Sequence, residues 1–208
     1  LSRTFPPVSL QTRSLGWQLG MAAYWFATSM KWFTMFLLLG LVVKEIVPGG
    51  EEGTLWGRVV FIGACWAAIG PAIFGFLSDR TRTKYGRWRP YVAVGSGLTV
   101  IALIVLAQAD KYWVIVVGYF VLQVADDLAT GPYSQLVPGL VPKEQRGRAS
   151  GIIGMVEFAA QLVAVGIALI LGDIQMSFLV IAGVNVTCAA ITILTVREDP
   201  IVNAVERV

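Results

Sequence analysis

Six long apolar runs, separated by short polar breaks, organise this chain. A spanning helix needs ~20 mostly apolar residues. The runs near residues 15–43, 57–78, 90–109, 112–140, 149–171 and 174–196 all reach that length. They are continuous and lack the alternating ~10-residue pattern of a transmembrane barrel, so each predicts a helix. The breaks are rich in Gly, Pro and charge, as in Pro48-Gly49-Gly50-Glu51-Glu52, and read as turns. Nothing of useful size is left for a soluble domain. The expectation is an all-α, polytopic bundle, one transmembrane domain over residues 1–208, set in the lipid of an inner or plasma membrane. The first sixteen residues lack an apolar h-region and a small-residue cleavage site, so they do not read as a signal peptide.

Composition narrows the chemistry. The chain is 56% hydrophobic and 14% charged, with a mean hydropathy of +0.71, against ~25% charged for soluble domains. A disordered chain, a disulfide scaffold and an ordinary soluble enzyme are excluded. There is no histidine, which removes imidazole-ligated haem, His-based zinc and His general bases. Cys65 and Cys188 lie inside apolar runs and read as small membrane-buried side chains. No nucleophile–base pair or metal-ligand cluster stands out, so neither an enzyme nor a cofactor nor a metal is expected. Asn185-Val186-Thr187 matches a glycosylation triplet but falls inside the sixth run, where it is a chance match.

Lysine and arginine set the orientation. One side carries Arg3, Arg13, Arg80, Arg82, Lys84, Arg87, Arg89, Lys143, Arg146, Arg148, Arg197 and Arg207, and the other only Lys44, Arg58 and Lys111. The positive-inside rule places both termini and the two basic loops in the cytoplasm. It also accounts for the net charge of +3, so no nucleic-acid partner is needed. Trp17, Trp56, Trp88, Tyr91, Tyr112 and Trp113 fall near the predicted interfaces and suit an aromatic belt.

Four charges interrupt the runs: Lys31 in the first, Asp126 and Asp127 in the fourth, Glu157 in the fifth. Each costs ~2.5–3.5 kcal/mol at a helix centre on insertion scales. At ~1.5 Å rise per residue, Lys31 lies ~20 Å from Lys44, Asp127 ~20 Å from Leu140 and Glu157 ~13 Å from Arg148. All four therefore occupy the middle of the membrane, and Lys31 is expected to pair with one of the aspartates. Neighbouring residues on a helix point ~100° apart, so one aspartate serves a site while the other meets a neighbouring helix. The pattern places spans one, four and five around a polar interior, with uncharged spans three and six facing lipid. Either the charges merely tie helices together, or they mark a solute or coupling-ion cavity. Intramembrane ionisable groups favour the cavity.

Aromatics follow the same helix. Trp17, Tyr24 and Lys31 share one stripe, and Gln18, Trp25 and Trp32 the next. Packing explains such spacing, yet an aromatic face beside a charge also suits a sugar ring. Tyr24 and Trp25 therefore join Lys31, Asp126, Asp127 and Glu157 as cavity candidates. Gly131-Pro132 and Pro138 interrupt span four, where a kink frees backbone carbonyls.

The loop after span two reads GFLSDRTRTKYGRWRPYV. Gly75 allows close helix approach, Asp79 ends the span, and Gly86 supports a tight turn. The Gly-x-x-x-Asp-Arg placement and Gly86-Arg87 resemble the signature loop of the major facilitator superfamily. The longer form SDRTRTKYGRWRP, with GPYSQLVPGLVPKEQRGRASG at residues 131–151, is similar to the glycoside–pentoside–hexuronide cation symporters, the melibiose and sucrose group. The resemblance implies secondary transport of a small polar solute such as a sugar. It implies a cytoplasmic gating motif at Gly75, Asp79, Arg80, Gly86, Arg87 and Arg89, with Asp79 and the arginines latching across two halves. It also implies six helices as two inverted three-helix repeats. Family members carry twelve spans, so alternating access implies a second six-helix half, from a homodimer or a separate chain. The alternative is an accessory subunit of a larger membrane complex that does not transport. Residues 59–78 carry no acidic pair before Asp79, so a sodium site of the melibiose type is not expected.

Overall fold

The computed structural model describes residues 12–47, 49–83 and 85–196. The orientation residues Arg3, Lys84, Arg197 and Arg207 lie outside the described residues, as does Pro48 of the first loop. Among the described residues, six helices are long and apolar enough to cross a membrane: α1 (Leu15–Ile46), α2 (Glu52–Arg80), α3 (Arg89–Ala107), α4 (Tyr112–Leu140), α5 (Lys143–Leu171) and α6 (Ile174–Thr195). Local chemistry fixes several ends. Ser14 Oγ accepts from the Trp17 N–H at the start of α1, and Asp173 does the same for Met176 at the start of α6. Gly172 ends α5 in the left-handed region at φ 58°, a conformation that costs glycine nothing. Pro142 directly precedes α5, which starts six residues before the apolar run does because polar Lys143–Arg148 wind into its first turns.

Three spans are not uniform. In α1, Met35–Leu39 is wound as π-helix. In α2, the helix breaks at Ala68–Ile69 and restarts at Gly70. Pro71 in the new first turn has no N–H to continue the earlier ladder. In α4, Pro132 sits in the helix just before its break at Ser134–Gln135, where the Gly-Pro signal predicts it.

The packing is symmetric. α1 packs on α5 and α6, α4 packs on α2 and α3, and α3 packs on α6. Exchanging the first three helices for the last three leaves this set unchanged. α1 and α4 cross the layer in opposite directions, so the two triplets are inverted repeats. In the middle of the bundle are α1 and α4, and α2 and α5 are the least buried.

This corrects one expectation. α3 and α6 do carry exposed apolar side chains such as Ile101 and Leu194. Their other faces pack on each other and on α4 and α1, so α2 and α5 are the more exposed pair. Trp88, expected in the interfacial belt, is 2% exposed and belongs to the core. Trp113 is 62% exposed.

Candidate functional site

The middle of α1 meets the middle of α4 through charge. Lys31 Nζ donates to Asp126 Oδ1 in a fully buried ion pair. Thr28 Oγ1 reaches the same oxygen at 3.5 Å, and the Trp32 indole N–H donates to Asp126 Oδ2 at 2.6 Å. Three groups from one helix therefore converge on one carboxylate. Thr28, Lys31 and Trp32 share a face because they are three and four residues apart. Thr130, one turn beyond Asp126, returns its hydroxyl to the Asp126 carbonyl at 2.9 Å.

Asp127 points elsewhere. Its carboxylate accepts from Gln123 Nε2 at 3.2 and 3.3 Å. It occupies the space at Gly70 of α2, where an added Cβ would lie 2.6 Å from Asp127 Oδ2. Asp126 faces α1 and Asp127 faces the break in α2, as their ~100° separation requires.

Glu157 of α5 comes to the same cleft as Asp126. Its Oε2 accepts from the Trp25 indole N–H at 3.4 Å. Among the described residues no cation pairs with Glu157. Trp25 in turn stacks on Tyr133, with ring centroids 5.8 Å apart and planes 14° from parallel. The cleft is about 340 Å³ and is lined by Trp25, Thr28, Ser29, Trp32, Phe33, Phe36, Asp126, Thr130, Glu157 and Gln161. It is built by α1, α4 and α5, at the low end of small-molecule site volumes. Its chemistry is two carboxyl groups, two indoles, three hydroxyls and an amide, with Lys31 sealed behind one carboxylate.

The structure therefore gathers Lys31, Asp126, Glu157 and Trp25 at the cleft and leaves Asp127 and Tyr24 out of its lining. Tyr24 is fully buried and packs on Tyr133 at 5.2 Å, because its stripe turns into the bundle while the Trp25–Trp32 stripe faces the cleft. Thr28, Ser29, Thr130 and Gln161 were not singled out in the sequence. Thr130 and Gln161 stand four residues after Asp126 and Glu157, a spacing that puts them on the same faces.

At the basic end, Gly86 takes φ 95° and turns the loop so that Arg87 reaches Asp79 at 3.6 Å. Asp79 is thus paired within its own loop. Arg80 lies over the Phe76 ring at 4.0 Å, and Arg89 donates to the Ile193 carbonyl of α6. Gly75 faces Gly131 of α4, and a Cβ on Gly131 would lie 2.6 Å from the Pro71 carbonyl oxygen, so α2 and α4 touch backbone to backbone.

Comparison with known proteins decides the family. The family model described as Major Facilitator Superfamily matches residues 21–207. The chain belongs to the Major Facilitator Superfamily. Its six helices are half of a major facilitator fold, and it is a multi-pass integral membrane protein in contact with lipid. A sucrose transport protein of Arabidopsis thaliana is 26% identical over 132 residues, 55% of this chain and 25% of that protein. A second sucrose transport protein from the same plant is 25% identical over 142 residues, 58% of this chain and 24% of that protein. The lactose permease of Lactobacillus helveticus is 26% identical over 166 residues, 71% of this chain and 26% of the permease. The matched stretch thus spans about a quarter of the length of each of these relatives.

Proposed function

We propose that this chain forms the solute-binding half of a secondary transporter, carrying a small polar solute of the sugar class through the cleft between α1, α4 and α5. The observation that carries the proposal is the cleft itself. At mid-membrane depth it combines the Asp126 and Glu157 carboxyl groups with the Trp25 and Trp32 rings. Carboxylates accept the hydroxyl protons of a sugar, and indole faces cover its C–H surface. The names of the relatives, two for sucrose and one for lactose, support the same solute class. Alternating access then needs a second six-helix unit against which this bundle rocks. The termini and the Arg80–Arg89 loop are cytoplasmic in this scheme, and the loop with Asp79 gates that side.

Intrinsic tryptophan fluorescence of the purified chain tests binding, since Trp25 and Trp32 line the cleft. Titration with sucrose, lactose and their monosaccharides should give a saturable change for at least one of them. Glu157→Gln should weaken that sugar by about ten- to a hundredfold, the loss of one charge-assisted hydrogen bond at ~1.5–3 kcal/mol. No saturable change with any sugar, in a folded protein, overturns the solute class. Orientation is tested separately: Thr83→Cys should be protected from an impermeant maleimide in intact cells, and ready labelling reverses the topology.

A further inference from the structure

The apolar core is in two pieces. One, toward the basic end, includes Met21, Val92, Ala129 and Ala189. The other includes Met30, Leu103, Leu122 and Ile181. Each of α1, α3, α4 and α6 therefore changes from one cluster to the other part-way along its length. At that level lie polar side chains: Thr28 and Lys31 on α1, Ser96 and Thr99 on α3, Asp126 on α4 and Asn185 on α6. All six are buried.

Helix register brings these residues to one depth. Gly95 packs against the Ala125 carbonyl and Ala129, which sets Ser96 level with Asp126. Arg89 of α3 meets Ile193 of α6. α3 packs on α6, and the change from one cluster to the other brackets Ser96 and Thr99 between Val92 and Ala102 and Asn185 between Ala182 and Ala189. The Tyr24 hydroxyl lies beside the Thr28 and Ser96 hydroxyls and near the Asp126 carboxylate.

Among the described residues of this layer, Thr99 Oγ1 and both amide atoms of Asn185 make no hydrogen bond, and the Tyr24 and Ser96 hydroxyls, although adjacent, are not in good hydrogen-bond geometry with each other. Tyr24, Thr99 and Asn185 are at 0% exposure and Ser96 at 4%. Buried polar groups are almost always satisfied, by protein or by ordered water. An ammonium has three donors, and Lys31 directs one at Asp126.

We propose that Tyr24, Ser96, Thr99 and Asn185 form, between α1, α3 and α6, a sealed binding site for water that also supplies a second set of partners for the Lys31 ammonium. Water fits the donor set. It gives two donors and two acceptors to hydroxyls and an amide that need both. A consequence, resting on the transport proposal, is that a solute hydroxyl can claim Asp126 while Lys31 turns to this water. The site itself stands on the buried groups alone.

Radiolytic hydroxyl-radical labelling of the purified chain in lipid nanodiscs tests it, because radicals form from bound water in place. Tyr24, although sealed from bulk solvent, should be oxidised. Phe178, equally sealed within apolar surroundings, should be protected. Asn185→Leu should abolish Tyr24 oxidation and lower the Tm by about 2–4 °C, and a Lys31→Met background should shrink that Tm loss. Tyr24 as protected as Phe178 overturns the proposal. So does a rise in Tm for Asn185→Leu, since removing a dry, unpaired amide stabilises a core. Ser96→Ala carries the same two readouts if Asn185→Leu does not fold. No solute enters either measurement, so failure of the transport proposal leaves both intact.

Discussion

Asp126 holds three donors from α1, and the removal of any one is felt differently. Lys31 is the costly one, because its loss leaves a buried carboxylate without its cation. Breaking a buried pair from one side costs about 3–5 kcal/mol. Lys31→Met should therefore lower stability sharply, and Asp126→Asn should strand the ammonium in the same way. The double substitution removes both charges and should recover most of the loss. Thermal unfolding of the four proteins in detergent measures this, and a double variant no better than the worse single one refutes it. Cost alone made this pair legible in the sequence: an isolated intramembrane lysine has few places to go. Which aspartate it takes was not legible. Asp126 and Asp127 are adjacent, and the choice rests on the opening at Gly70 that admits Asp127 to α2. Tyr24 lies outside the cleft lining for a related reason. Its stripe and that of Trp25 are one residue apart, and only the packing of α1 against α6 decides which of them faces inward.

Glycine does at the element scale what charge does at the residue scale. Gly131 meets the Pro71 carbonyl and Gly75, and no side chain fits between. Gly131→Ala should cost about 1–3 kcal/mol through overpacking. Gly154 on α5 has open space where a Cβ would go, so Gly154→Ala should stabilise by up to ~1 kcal/mol through helix propensity. Equal effects of the two in an unfolding assay would contradict the close α2–α4 approach. The helices themselves were legible because long apolar runs allow little else in a membrane. The break in α4 was also legible, from Gly131-Pro132. The break in α2 carries the same kind of signal, Gly70-Pro71, inside an uncharged run. The π-helical turn at Met35–Leu39 has no comparable mark in the sequence, since MFLLL suits an ordinary helix equally well.

At the scale of the whole molecule, the symmetric packing puts α1 and α4 at the centre and leaves α2 and α5 most exposed. Apolar residues on α5 such as Met155, Phe158 and Leu162 are at ease in lipid. Glu157 and Gln161 are not. They lie on the same helix and open the cleft toward that side, and hydrocarbon offers a carboxyl group or an amide no partner. This face must therefore meet water or polar protein groups, as the surface between two rocking bundles does. α3 has no such requirement, because its exposed residues Val94, Leu98, Ile101 and Val105 are all apolar. A cysteine at position 161 should then react with a small charged thiol reagent in membranes, whereas one at position 101, of similar depth, should react far more slowly. Addition of a cleft-filling sugar should slow the first and leave the second unchanged. Equal, slow reaction at both positions would mean that lipid fills the cleft, and the carrier proposal would lose the polar path it depends on.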